Sequence, residues 1–178
     1  MGLNPDNLEP HPLTPESQLE GFDCGDSDLN DFLFHDALYY QQQYLAHTTL
    51  LYFEDVLVGY YTLSCDAIRL DVGEKLFFPQ RKRIHSYPAI KIARIAFIKA
   101  CQKQGCGSFI LNVVKGFVNK INRTGAGCRF ITVDAYPDRV NFYLKRGFKY
   151  NIHKDYKKKN HPSLRLDVWG HFHSPVHR

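Results

Sequence analysis

Apolar positions first fall into a helical period at Leu29, Phe32, Leu33, Ala37, Tyr40 and Tyr44, which together make one stripe of an amphipathic helix. The stretch before it, residues 21–27, is turn chemistry. Asp26 or Ser27 there supplies an N-cap, so the spacing predicts a helix running to about Gln43. The period then shortens to that of strands. Residues 48–54 and 56–66 are rich in β-branched and aromatic side chains and break at Glu54-Asp55, which predicts an antiparallel hairpin. Residues 67–88 read as a long connection of the kind that is usually functional or mobile. From Lys91 to Leu111 the pattern is a buried strand, a turn containing Gln102-Lys103-Gln104-Gly105-Cys106-Gly107, and a helix beginning at the second glycine. Another strand is expected over 129–135. A helix opened by Pro137-Asp138 and ended by Gly147 follows, and then strands over 148–152 and 164–169. Residues 1–18, broken by Pro5, Pro10, Pro12 and Pro15, read as an irregular lead-in with room for one short strand. The order implies a mixed α/β sheet of one layer with helices on both faces.

Composition narrows the class. A chain of 178 residues suits a single domain with a substantial core, here taken as 1–178 with a polar tail from 170. A hydrophobic share of 44% and a charged share of 23% fit a water-soluble globular protein, and the net charge of +5 matters only where it clusters. Five cysteines with no Cys-x-x-Cys pair fit free thiols in a reducing cytoplasm better than a disulfide or zinc framework. His171, His173 and His177 lack a matching ligand set, so no metal is expected. No basic segment followed by an apolar run opens the chain, and no apolar stretch approaches the ~20 residues that span a bilayer. A cytoplasmic protein with no membrane partner is the expectation.

The turn at 102–107 carries candidate chemistry. A glycine-rich turn feeding a helix N-terminus presents backbone N–H groups without intrahelical partners, and the helix dipole favours an anion there. Gly105 and Gly107 would let the backbone approach a pyrophosphate. No Gly-Lys-Ser/Thr follows, which excludes a P-loop, and the Gly-x-Gly-x-x-Gly of a dinucleotide fingerprint is missing. An ordinary strand–turn–helix with packing glycines is the alternative.

Arg94-Ile95-Ala96-Phe97 followed by 102–107 resembles the acyl-CoA-binding motif of the GCN5-related N-acetyltransferases. About 35 residues on, Asn141-Phe142-Tyr143-Leu144-Lys145-Arg146-Gly147-Phe148 resembles that family's last helix. Gly21-Phe22-Asp23-Cys24-Gly25, then Asp28-Leu29-Asn30-Asp31-Phe32-Leu33, and Val58-Gly59-Tyr60-Tyr61-Thr62-Leu63, are similar to the toxin subgroup that pairs with ribbon-helix-helix antitoxins and acetylates aminoacyl-tRNA. The resemblance implies acetyl-CoA as cofactor. Its pantetheine arm would pair with the backbone of Ile95, Ala96 and Phe97, and its pyrophosphate would sit at Gln102, Lys103, Gln104, Gly105, Cys106, Gly107 and Ser108. Tyr143 would be the general acid. Three positions depart from the family pattern: Lys103 replaces a glycine, Ile98 a frequent acidic residue, and Tyr136 a frequent asparagine.

Direct transfer needs a neutral amine. The central strand offers no carboxylate or histidine as base, which favours an α-amine, with a pKa near 8, over a lysine near 10.4. Glu54 and Asp134 stay open as bases supplied by the fold. Cys101 and Cys106 read as small buried hydrophobes. Two basic runs, Arg81-Lys82-Arg83 with His85 and Lys154 with Lys157-Lys158-Lys159, have three readings: solvated surface, the footprint of an antitoxin, or a phosphate track for RNA. In the last, Phe77, Phe78, Tyr87 and Tyr156 would be available for stacking. Transfer to a small-molecule or protein amine, and a non-catalytic acyl-CoA- or RNA-binding module, remain alternatives, and a homodimer is left open.

Overall fold

The computed structural model of the protein describes residues 3–76, 84–157 and 160–169. Its strands are β1 (Glu9–Pro12), β2 (His47–Phe53), β3 (Val56–Ile68), β4 (Tyr87–Phe97), β5 (Phe130–Asp134), β6 (Lys149–Tyr150) and β7 (Ser163–Asp167). Its helices are α1 (Ser27–Asp31), α2 (Ala37–Gln42), α3 (Val72–Lys75), α4 (Cys106–Thr124) and α5 (Val140–Leu144). The strands hydrogen-bond in the order β1-β2-β3-β4-β5-β7-β6, the mixed sheet expected. The chain divides into two compact units, residues 1–64 with 92–116 and residues 65–91 with 117–178, so β3, β4 and α4 each contribute residues to both.

In the first unit, β2 and β3 form the expected hairpin. Glu54 (φ 49°) and Asp55 (φ 63°) both take the left-handed conformation that a tight two-residue hairpin turn requires. The short strand β1 pairs with β2 at the edge, where Pro10 and Pro12 are tolerated because no further strand needs their missing N–H groups. Leu13, Phe22, Phe32, Leu33, Ala37, Leu50, Tyr60 and Ala96 form the core. Two polar groups inside are satisfied: the Thr48 and Thr62 hydroxyls pair at 2.9 Å, and the Tyr60 hydroxyl donates to the Leu29 carbonyl at 2.7 Å.

The helical segment departs from the periodic pattern. Asp26 caps α1 as expected, its carboxylate accepting from the N–H groups of Asp28 and Leu29. Between α1 and α2 lies a five-residue π-helical turn, Phe32–Asp36, in which the Ala37 N–H donates to the Phe32 carbonyl. The extra residue rotates everything after it. Phe32, Leu33 and Ala37 are buried as predicted, but Tyr40 is 38% exposed and Tyr44 97%. Gln41 turns inward instead, its amide donating to the Leu13 carbonyl at 2.7 Å and its oxygen accepting from the Thr48 N–H at 3.1 Å. The segment ends with the Leu45 N–H on the Tyr40 carbonyl and the Tyr44 N–H on the Gln41 carbonyl, a Schellman closure. Tyr44 takes the left-handed position (φ 56°) that glycine usually fills.

In the second unit, Ile68, Leu70, Tyr87, Ala89 and Phe130 cluster, with Tyr156 packed against them. The strand expected from Lys91 begins four residues earlier, at Tyr87. Pro88 lies within β4, and its carbonyl accepts from the Arg129 N–H at 2.8 Å. Tyr87 is therefore buried edge-on against Phe130 and is not available to stack on a base, a correction to the sequence reading. Tyr156 is also committed, its hydroxyl accepting from the Arg69 N–H. Within the long connection, Asp71 and Glu74 form a capping box on α3, and the Glu74 carboxylate also pairs with Arg165. Strand β6 is two residues long, and just beyond it Asn151 stays tied to β7, its N–H donating to the Ser163 carbonyl at 2.9 Å and its side-chain amide to the Ser163 hydroxyl.

Gly59 on β3 is fixed by close approach. A Cβ there would lie 2.5 Å from the Phe97 ring and 2.8 Å from the Ala96 carbonyl oxygen, both on β4. Gly59→Ala is expected to destabilise the protein by about 1–3 kcal/mol. A urea denaturation series checks this, and an unshifted midpoint would show that Phe97 is free to move aside.

Candidate functional site

The connection from β4 to α4 is assembled residue by residue. Phe97 ends the strand, residues Lys99–Cys101 make one tight helical turn, and Lys103 (φ 62°) and Gly105 (φ 87°) reverse the chain with left-handed backbone. The Gly105 carbonyl accepts from the N–H groups of Ser108 and Phe109 and so starts α4 at Cys106, one residue before the expected glycine. Among the described residues, the N–H groups of 104–107 meet no carbonyl acceptor. They are the orphan donors of a 19-residue helix, and the helix dipole adds positive potential where they point. The turn thus fits the diphosphate of a coenzyme.

Lys103 settles one departure from the family pattern. A lysine stands where a glycine is common, and the backbone still adopts the glycine-like conformation, at a cost of about 1 kcal/mol. Ile98, in place of an acidic residue, packs against the core of the first unit.

Side chains of the turn are used to hold it. The Gln102 amide donates to the Cys24 carbonyl at 2.8 Å and to the Phe97 carbonyl at 3.0 Å. The Gln104 oxygen accepts from the Leu3 N–H at 2.8 Å, and its amide donates to the Ala100 carbonyl. Lys99 reaches Asp23 at 2.9 Å, and the same carboxylate accepts from the Gly25 N–H and the Asn30 amide. With Lys99 as the main cause, followed by Asn30 and Gly25, the Asp23 carboxyl is lowered from 3.8 to about 2. The opening Gly-Phe-Asp-Cys-Gly stretch is therefore a clasp on the turn, a role its sequence did not reveal. Nearby, the Arg94 guanidinium lies over the Phe32 ring at 5.0 Å. Ile95 is half-buried, while Ala96 and Phe97 are buried.

Cys101 and Cys106 are buried, and desolvation raises both thiols. Each stays protonated near neutrality, which removes a thiolate nucleophile from the turn.

Tyr143 lies in the second unit, on α5. It is 8% exposed and packs edge-on against Phe142 at 5.0 Å and Phe148 at 5.2 Å. Burial pushes its phenol up to about 12 against the opposing pull of Arg139 and Arg146. Such a group keeps its proton at neutral pH and can donate it. Of the two carboxylates left open as bases, Asp134 is paired with Lys91 at 2.7 Å, and Glu54 stands exposed at the hairpin tip. Tyr136 packs against His161 at 4.8 Å. Lys154 and Lys157 are exposed. Arg81, Lys82, Arg83, Lys158, Lys159, Phe77, Phe78 and the tail histidines lie outside the described residues. A cavity of about 740 Å³ in this unit is lined by Asn119, Asn122, Arg123, Cys128, Arg129 and Trp169, among others, and by none of the sequence-predicted site residues. Among the described residues no cluster of His, Cys, Asp or Glu could hold a metal, and no helix is long and apolar enough to cross a membrane.

Comparison with solved structures decides the fold. A tyrosine-to-phenylalanine mutant of KacT superposes with a TM-score of 0.76 at 22% identity, covering 92% of this chain and 96% of that one. AtaT complexed with acetyl-methionyl-tRNAfMet gives 0.76 at 20%, covering 93% and 97%. A tyrosine-to-phenylalanine mutant of the AtaT toxin, bound to the C-terminus of the antitoxin AtaR and acetyl-CoA, gives 0.71 at 21%, covering 93% and 96%. The fold is that of the GCN5-related N-acetyltransferases. No family model and no curated protein matches the chain.

Two variants test the turn. Lys103→Gly relieves the left-handed strain and is expected to raise stability by about 0.5–1 kcal/mol in chemical denaturation. Because the Asp23 carboxyl is lowered on folding, the stability it contributes is complete above its ordinary 3.8 and is lost as pH falls through about 2. Asp23→Asn should therefore lower the thermal midpoint near neutral pH and flatten its decline below about pH 4. Parallel acid profiles of the two proteins would contradict the clasp.

Proposed function

We propose that the protein is an N-acetyltransferase, one acyltransferase domain over residues 1–178, that moves the acetyl group of acetyl-CoA to the α-amine of aminoacyl-tRNA. In the cell it would act as a toxin restrained by an antitoxin of the ribbon-helix-helix kind. The observation that carries this reading is the turn at 102–108, in which the N–H groups of 104–107, at the head of α4, meet no carbonyl acceptor among the described residues. The likeness to AtaT structures holding acetyl-CoA and acetyl-methionyl-tRNAfMet supports it.

Acetyl-CoA, when bound, supplies a thioester carbonyl open to attack by an amine. The N–H groups of 104–107, at the head of α4, hold its diphosphate as a helix N-terminus holds any anion. The backbone of Ile95, Ala96 and Phe97 receives the pantetheine arm in strand fashion, and one N–H there polarises the carbonyl. Gln102 holds the end of that backbone through the Phe97 carbonyl, and Gln104 braces the turn through the Leu3 N–H and the Ala100 carbonyl. Tyr143 carries a proton on its hydroxyl throughout the neutral range and gives it to the departing thiolate. An α-amine, partly neutral near pH 8, reaches its reactive form without a strong base. The exposed Lys154 and Lys157 offer charge to the phosphates of the acceptor.

Expression of the protein is expected to arrest growth and to place labelled acetyl groups on the tRNA fraction, while Tyr143→Phe abolishes both. The phenylalanine retains the ring contacts, so the fold and acetyl-CoA affinity stay, and turnover falls by about 10²-fold or more. Label found on protein or small amines and absent from tRNA would overturn the acceptor assignment. Turnover with tRNA should rise with pH to about 8 and then hold level to about 10, because the acid is still protonated there. A fall in rate above about pH 9 would point to a different acid.

A further inference from the structure

Charge is divided along this chain in a way the overall +5 conceals. Residues 1–68 contain twelve Asp and Glu and neither Lys nor Arg, while all 23 Lys and Arg follow from Arg69 onward. The helical segment from α1 to α2 lies inside the acidic part. On its surface Asp28, Asp31 and Asp36 are exposed, with His35 as the one exposed group there able to become cationic. Between and beyond these acids stand exposed rings: Phe34 at 42%, Tyr39 at 57% and Tyr44 at 97%, with Leu45 at 57% beside them.

Tyr44 is the decisive residue. It occupies the left-handed C-terminal position of the segment, where glycine would close the helix without steric cost. Nearly all of its side chain is in water, so the fold gains no packing in return for the strained backbone. A strained residue whose ring serves nothing inside the protein suggests selection for something outside it. The π-helical turn points the same way, because it moves Tyr40 and Tyr44 off the core and sets Gln41 inward.

We infer that the outward face of residues 28–45 docks a cationic segment of a partner protein, an amphipathic peptide carrying Arg or Lys. Guanidinium and ammonium groups are attracted both to carboxylates and to the faces of aromatic rings, and Tyr and Phe anchor protein interfaces. An RNA strand would meet three exposed carboxylates on this face with no Lys or Arg among residues 1–68 to offset them, so phosphate repulsion disfavours it. The inference is independent of acetyl transfer.

The test uses the full chain and three fluorescent probes. Two are synthetic amphipathic peptides with the same apolar face, one with Arg and one with Glu on the polar face. The third is a single-stranded RNA oligonucleotide. Tyr39→Ser/Tyr44→Gly and Asp31→Lys/Asp36→Lys are compared with the parent chain by anisotropy. The Arg peptide should bind the parent in preference to the Glu peptide, and each double variant should weaken it by about tenfold or more, about 1.4 kcal/mol. Tyr44→Gly alone should raise the thermal midpoint while weakening the peptide, a combination that loss of folding cannot produce. Equal affinity of the variants and the parent for the Arg peptide would overturn the proposal. So would RNA binding by the parent that Tyr39→Ser/Tyr44→Gly abolishes.

Discussion

The candidate site depends on a clasp. A turn that offers backbone N–H groups to an anion cannot be rigidified through those groups, because anything bonded to them would block them. The protein answers by gripping the turn from behind. Lys99 is tied to Asp23, Gln102 to the carbonyls of Cys24 and Phe97, and Gln104 to Leu3 and Ala100. Each of these bonds stiffens the loop and leaves the N–H groups at 104–107 open. Preorganised donors of this kind need no rearrangement when charge arrives, which is the feature that makes such sites effective.

Protonation states on the two units are divided by burial. Desolvation keeps the thiols of Cys101 and Cys106 and the phenol of Tyr143 in their neutral forms. The exposed Asp23 goes the opposite way, because a cation, an amide and a backbone N–H all favour its anion. A neutral phenol on α5 and a fixed ion pair behind the turn both persist near neutral pH.

Much of this was legible in the sequence because it is local. The hairpin followed from β-branched runs broken at Glu54-Asp55, and the α4 start from its glycines. What could not be read depends on partners distant along the chain. Nothing near Gln102 or Lys99 announces that Cys24 and Asp23 lie against them. The π-helical turn was invisible for a related reason: a single inserted residue leaves composition unchanged and is chosen by how Leu33, Ala37 and Gln41 seat against Leu13 and Thr48. Tyr87 was misread as part of the 67–88 connection, whereas β4 begins there and keeps Pro88, whose carbonyl accepts from the Arg129 N–H. Lys103 shows the converse, a residue that sequence treats as a departure and backbone geometry treats as equivalent to glycine.

The hydrogen bond from the Leu3 N–H to the Gln104 side chain makes the lead-in before β1 one of the supports of the turn. Bulky additions beside Leu3 would tug on the 102–108 turn through that bond. A latch loosened in that way would leave the N–H groups of 104–107 present but poorly aimed.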